Sequence, residues 1–223
     1  MKRIALYGGT FDPVHLGHLA VAHGLLKIFA LDEVLFIPAY VAPHKRKEGV
    51  TPALHRYAML ALATQHEERF RISTVELDAP EKPYTFETLP LMQEKLGRDA
   101  QLFFVMGADS WMEIATWREW ERVLALSNHI VVSRPGYDLS VGHVTPAVSE
   151  RIVDLRGMSG EEIAKKIEIS EALKIYITDA VKMDVSATVV RSAAREGREA
   201  DWVESVSPSV AEYIRKYGLY KEA

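Results

Sequence analysis

Along the chain, short runs rich in β-branched and aromatic residues alternate with longer stretches whose apolar positions recur at helical spacing. The runs Arg3–Tyr7, Glu33–Pro38, Phe70–Val75, Gln101–Met106, His129–Ser133 and Lys174–Thr178 are predicted strands. The stretches His18–Phe29, Pro52–His66, Phe86–Leu96, Arg118–Leu126, Ala187–Glu196 and Pro208–Tyr217 are predicted helices. Such alternation is the pattern of βαβ units and predicts an α/β fold: a doubly wound, mostly parallel sheet with helices on both faces. Six strands and six helices suffice for a single domain over residues 1–223, with no internal repeat and no heptad seam.

Two stretches break the rhythm. Ala39–Thr51 carries Lys45, Arg46 and Lys47 between Pro43 and Gly49 and reads as a loop after a strand. Tyr137–Ser170 is polar with weak periodicity and is expected to be a peripheral connection rather than a second domain. In open α/β sheets ligands bind beyond the carboxyl ends of the strands, so the strand exits are where chemistry is sought.

Composition narrows the function. A net charge of −4 lacks the basic field that polymeric nucleic acid requires, so no nucleic-acid partner is expected. The chain has no cysteine, which removes disulfides, thiolate metal sites and thiol nucleophiles together. No segment approaches the roughly 20 apolar residues that span a bilayer, and glycines with Asp12 interrupt the apolar start before a signal sequence is built. A cytoplasmic protein with no membrane partner is expected. Self-association into a homo-oligomer is left open, because exposed and core-facing apolar positions read alike along a chain.

The first strand exits through Gly8-Gly9-Thr10-Phe11-Asp12-Pro13-Val14-His15-Leu16-Gly17-His18. Adjacent glycines let main-chain N–H groups approach a ligand, Thr10 adds a hydroxyl, and a following helix offers its positive end, which makes a phosphate cradle. Neither the Gly-x-Gly-x-x-Gly fingerprint nor a Gly-Lys-Ser/Thr loop occurs here, so hydride-transfer and P-loop enzymes are not supported. His15 and His18, three apart at a helix start, can reach one anion together. The plainer reading makes one a cap and the other a surface residue. The last strand leads to Val185-Ser186-Ala187-Thr188-Val189-Val190-Arg191, where Ser186 suits an N-cap and the Arg191 fork can grip a phosphate above the helix start.

The first of these segments closely resembles the signature of the nucleotidylyltransferase superfamily, HxGH type, and the second resembles its Ile-Ser-x-Thr-x-x-Arg motif with Val185 in place of Ile. The resemblance implies a Rossmann-like fold in which a nucleotidyl group passes from a triphosphate to a phosphate-bearing acceptor. It implies catalytic roles for His15, His18 and Arg191. It also implies an ATP site built from Gly8, Gly9, Thr10, Phe11, His15, His18, Gly107, Asp109, Ser186, Thr188 and Arg191, completed by the 186–223 part.

Four further segments resemble the bacterial nicotinate-mononucleotide adenylyltransferase family: Ala42-Pro43-His44-Lys45, Pro83-Tyr84-Thr85 with Thr88-Leu89, Gly107-Ala108-Asp109-Ser110, and Thr116-Trp117. They imply an acceptor site of Thr10, His44, Lys45, Tyr84, Thr85, Trp117 and Arg134, with Asp109 on a ribose. An indole face attracts the cationic pyridinium of nicotinate mononucleotide. Main-chain amides at Tyr84 and Thr85 would face its carboxylate. Each segment also has a plainer reading: a solvated loop at Lys45-Arg46-Lys47, packing for Trp111, Trp117 and Trp120 on one helical face, an N-cap at Asp109-Ser110, a helix start at Tyr84-Thr85, and a solvated arginine at Arg134.

The implied reaction joins ATP and nicotinate mononucleotide to give deamido-NAD and pyrophosphate in NAD biosynthesis. Mg2+ is expected mainly on substrate phosphates and water, with no metal site of the protein's own and Asp12 at most a marginal ligand. A sister transferase for phosphopantetheine or nicotinamide mononucleotide would share both phosphate motifs and differ in the acceptor pocket. A nucleotide-sensing module would be expected to lose reactive residues, yet His15, His18, Ser186 and Arg191 are all present.

Overall fold

The computed structural model describes residues 1–40, 49–79, 83–133, 139–167, 172–179 and 185–221. Among them, seven strands form one sheet: β1 (Lys2–Gly9), β2 (Glu33–Pro38), β3 (Phe70–Ile72), β4 (Ala100–Gly107), β5 (Asn128–Val132), β6 (Ile152–Asp154) and β7 (Ile175–Thr178). Their order is β3-β2-β1-β4-β5-β7-β6, and every pairing is parallel. The helices are α1 (Leu16–Ile28), α2 (Ala53–Thr64), α3 (Thr85–Leu96), α4 (Ala108–Met112), α5 (Trp120–Leu124), α6 (Pro146–Ser149), α7 (Gly160–Lys166), α8 (Ala187–Arg195) and α9 (Pro208–Tyr217).

Strand side chains alternate between two faces, and both faces are buried, as the near-continuous apolar strands require. Ala5, Phe103, Val105 and Ile130 point into one core with Leu25 of α1, Phe29 at its C-cap, Val190 of α8 and Ile214 of α9. Ile4, Leu6, Leu102, Phe104 and Val131 point into the other with Leu89 of α3, Trp111 of α4 and Val123 of α5. The chain runs outward from β1 through β2 to β3, then crosses back to place β4 on the other side of β1. That reversal opens a crevice above the carboxyl ends of β1 and β4.

The α/β, doubly wound architecture matches the strand and helix alternation, and several local expectations are corrected. The Tyr137–Ser170 connection is part of the packed fold: it contains α6, the edge strand β6 and α7. Leu139 and Val148 enter one core, and Ile163 and Ile167 enter the other. The predicted strand Phe70–Val75 stops at Ile72, because Leu77 and Asp78 both donate to the Thr74 carbonyl at 2.8 Å and wind the chain into a turn. The predicted helix Arg118–Leu126 shrinks to α5, since Glu119 takes a left-handed conformation with φ 54°. Ahead of it stand α4 and a 3-10 turn at Ile114–Thr116, which the predicted helices did not include. Trp111 in α4, Trp117 just after the 3-10 turn and Trp120 in α5 therefore do not share one helical face.

Candidate active site

β1 delivers Gly8 and Gly9 to the crevice. A Cβ on Gly9 would stand 2.9 Å from the Phe11 ring, so the position requires glycine. Phe11 itself has φ 49°, and its side chain is 1% exposed. Its ring meets Tyr7 (5.6 Å between centroids), Phe36 (5.6 Å) and His18 (5.0 Å), so it props His18 from below and offers a ligand only main chain.

His15 is the N-cap of α1. Its Nδ1 accepts from the main-chain N–H of His18 (3.3 Å), and Nδ1 of His18 accepts from the main-chain N–H of His15 (3.2 Å). The rings stack with centroids 3.6 Å apart. Because both Nδ1 atoms accept, each neutral ring carries its proton on Nε2. Both histidines thus cap the helix and border the cleft, so neither is the plain surface residue of the simpler reading. Gly17 between them is needed for contact, as a Cβ there would lie 3.0 Å from the His15 ring and 3.4 Å from Val185 Cβ.

Opposite stands the start of α8. Ser186 occupies the N-cap position with extended backbone (φ −119°, ψ 125°), but its side chain makes no capping hydrogen bond. Arg191 joins the two motifs: Nη1 donates to the Asp12 carbonyl at 2.7 Å and Nη2 to Thr188 Oγ1 at 3.3 Å.

Between these walls lies a cleft of about 360 Å³. The start of α1 contributes His15, Gly17 and His18, the exit of β4 contributes Gly107 and Asp109, and the start of α8 contributes Ser186 and Thr188. Six residues named from the sequence, His15, His18, Gly107, Asp109, Ser186 and Thr188, therefore meet in one cavity. Gly107 is the N-cap of α4 and Asp109 lies in its first turn, so Asp109 is not the cap the plainer reading suggested. Gly8 and Gly9 end β1 and Thr10 follows it, all beside the cleft rather than lining it. Tyr7 and Ser133 line it without having been singled out. Their signal was positional, since both lie at strand exits. Burial pushes the Tyr7 phenol well above its ordinary range, so it stays protonated.

A second group of predicted residues gathers around α3. Tyr84 is its N-cap, with its N–H donating to Glu87 Oε2 at 2.8 Å, and Thr85 is its first residue. The Thr88 hydroxyl donates to Glu76 Oε1 at 2.9 Å. Burial pushes the Glu76 carboxyl up to about 7 against the opposing effect of that hydrogen bond. The Arg118 guanidinium lies 4.9 Å above the Tyr84 ring, which ties the segment bearing Trp117 to the start of α3. Half-buried Trp117 meets Phe104 edge-on at 6.4 Å, and the Phe104 ring lies 3.4 Å from where a Gly8 Cβ would be. His44, Lys45 and Arg134 lie outside the described residues.

Among the described residues, no group of three or more histidines and carboxylates is placed to hold a metal ion. Asp12 has both carboxylate oxygens engaged, by the Thr51 N–H (3.1 Å) and the Tyr220 hydroxyl (2.8 Å). No helix among the described residues is long and apolar enough to cross a membrane.

The cytidylyltransferase-like family matches residues 6–193. A curated relative from Thermoanaerobacter sp. (strain X514), named probable nicotinate-nucleotide adenylyltransferase, is 34% identical over 99% of this chain and 95% of its own length. One of the same name from Desulfatibacillum aliphaticivorans is 33% identical over 98% of this chain and 99% of its own. The fold is shared with a solved structure of Plasmodium falciparum nicotinic acid mononucleotide adenylyltransferase complexed with NaAD, at TM-score 0.72 and 20% identity over 99% of this chain and 98% of that one. The chain belongs to the cytidylyltransferase-like family and, within it, to the nicotinate-nucleotide adenylyltransferases.

Proposed function

We propose that the protein transfers the adenylyl group of MgATP to the phosphate of nicotinate mononucleotide, releasing pyrophosphate and forming deamido-NAD. The observation that carries this reading is the stacked His15–His18 pair, fixed through both Nδ1 atoms at one wall of a cleft whose other wall is the start of α8. Two Nε2–H donors facing a helix N-terminus across such a gap suit a polyphosphate chain.

The acceptor phosphate is already anionic, so it attacks the α-phosphorus without a general base. A new bond forms from an acceptor oxygen to that phosphorus, the bond from it to the bridging oxygen breaks, and the electron pair leaves on pyrophosphate. His15 and His18 donate to the phosphoryl oxygens as charge builds, while Ser186, Thr188, Arg191 and the positive end of α8 hold the leaving phosphates. Gly8, Gly9, Thr10 and the Phe11 main chain face the nucleotide, and Gly107 and Asp109 its ribose. Tyr84 and Thr85 would take the pyridine carboxylate on main-chain N–H groups, with Trp117 as ring platform. Thr10, His44, Lys45 and Arg134 are assigned to the acceptor by family resemblance. The 186–223 part, within one 1–223 domain, completes the ATP site.

The test is pyrophosphate release by purified protein with MgATP, comparing nicotinate with nicotinamide mononucleotide. Strong preference for the acid is expected. Preference for the amide overturns the acceptor assignment, and release with neither overturns transfer to a pyridine nucleotide.

A further inference from the structure

Beyond α9 the backbone turns left-handed at Gly218 (φ 60°) and again at Tyr220 (φ 69°). A non-glycine residue in that region persists only where its surroundings hold it there. What holds Tyr220 lies at the other end of the chain: its hydroxyl donates to Asp12 Oδ1 at 2.8 Å, across 208 positions of sequence. Burial first, and then the Asp12 charge, push the phenol far above its ordinary range, so Tyr220 is the donor and Asp12 the acceptor.

Asp12 is 4% exposed, and its other oxygen accepts from the Thr51 N–H at 3.1 Å. The turn that contains it is gripped twice more. Arg56, 0% exposed, donates to the carbonyls of Thr10 (2.7 Å), Tyr40 (2.7 Å) and Thr51 (2.9 Å). Arg191 donates to the Asp12 carbonyl at 2.7 Å. The buried anion therefore sits among two guanidinium groups, yet Arg191 meets its main chain rather than its carboxylate. Without the phenol, Oδ1 would need another donor, and the Arg191 fork already reaches the carbonyl of the same residue. An arginine drawn onto that carboxylate would leave Thr188, and the turn that supports Phe11 beneath His18 would shift.

We propose that Tyr220 is a positioning residue for nucleotidyl transfer: by holding the Asp12 carboxylate it fixes the 10–13 turn beneath the histidine pair and keeps Arg191 directed along α8. Its activity readout rests on the proposed function; its binding readout does not depend on the acceptor.

The test uses the full chain with Tyr220→Phe, which deletes only the hydroxyl, and Ile214→Val as a control that trims the core from α9. Turnover is measured with both substrates, and affinity for an α,β-methylene ATP analogue is measured by calorimetry, at a temperature where all variants are folded. Y220F is expected to lower kcat at least tenfold and weaken the analogue at least fivefold, while I214V leaves both within twofold. If Tyr220 acts through Asp12, the double variant Y220F with Asp12→Asn loses no more than D12N alone. Y220F within twofold of the unsubstituted protein in both readouts overturns the proposal, as do fully additive losses in the double variant or an equal loss in I214V. Absence of turnover in the unsubstituted protein with nicotinate mononucleotide instead overturns the acceptor assignment, and the analogue affinities still decide the role of Tyr220.

Discussion

In the proposed reaction His15 serves two ends with one ring, because Nδ1 caps α1 and leaves Nε2 to carry the proton. The two roles separate by substitution. His15→Ala is expected to cost about 1 kcal/mol through the lost cap and to lower kcat by roughly 10²–10³. His15→Ser restores an N-cap acceptor, so thermal unfolding should recover most of that loss while kcat stays low. If Ser restored turnover as well, the Nε2 donor would have no role in transfer. The His15 and His18 pair was legible because a spacing of three at a helix start puts both rings on one side. Their mutual capping was not, since it depends on ring rotamers that no spacing specifies. Asp12 teaches the same lesson from the other side: its partners Thr51 and Tyr220 are 39 and 208 positions away.

Among the elements, length governed what could be read. β1, β4 and α1 are eight residues or longer and carry a full period of apolar alternation or helical spacing. β6 has three residues and α7 seven, too few for either period to register, so the stretch that holds them read as a polar connection. Ser159 and Glu162 nevertheless form a reciprocal capping box at the start of α7, with Ser159 N–H to Glu162 Oε2 at 2.8 Å and Glu162 N–H to Ser159 Oγ at 3.3 Å. Ser159→Ala is expected to remove about 1 kcal/mol. That corresponds to a fall in Tm of about 2–4 °C for a chain of this size, with kcat within twofold of the unsubstituted protein. An unchanged Tm would mean that α7 adds nothing to the cooperative unit.

For the whole molecule, two groups with opposite proton linkage shape stability in mild acid. Burial, reinforced by the Arg151 charge, pulls the His129 ring down to about 3, and a hydrogen bond to the Ser127 carbonyl opposes the shift only in part. The unfolded chain then binds the extra proton below about 6.5, so this contribution is complete above that value and lost on acidification, at roughly 1.4 kcal/mol per pH unit. Glu76, raised to about 7 chiefly by burial, acts in the other direction. Its contribution is complete below the ordinary carboxyl range near 4.5 and is lost as pH rises through about 7. Between about pH 4.5 and 6.5 the two offset each other. Relative to the unsubstituted protein, Glu76→Gln should therefore lose Tm on acidification across that window, and His129→Phe should gain it. Parallel Tm–pH curves for all three proteins would refute the linkage. By itself the sequence determined the α/β alternation, the strand exits at which to look, and the two motifs at the first and last of them, because those rest on periodicity and on residue types a few positions apart. Tertiary structure alone decided which exits share a cleft, how β6 and α7 complete the fold, and that Tyr220 closes on Asp12. Those outcomes depend on strand order and on side-chain contacts between residues that sequence distance does not relate.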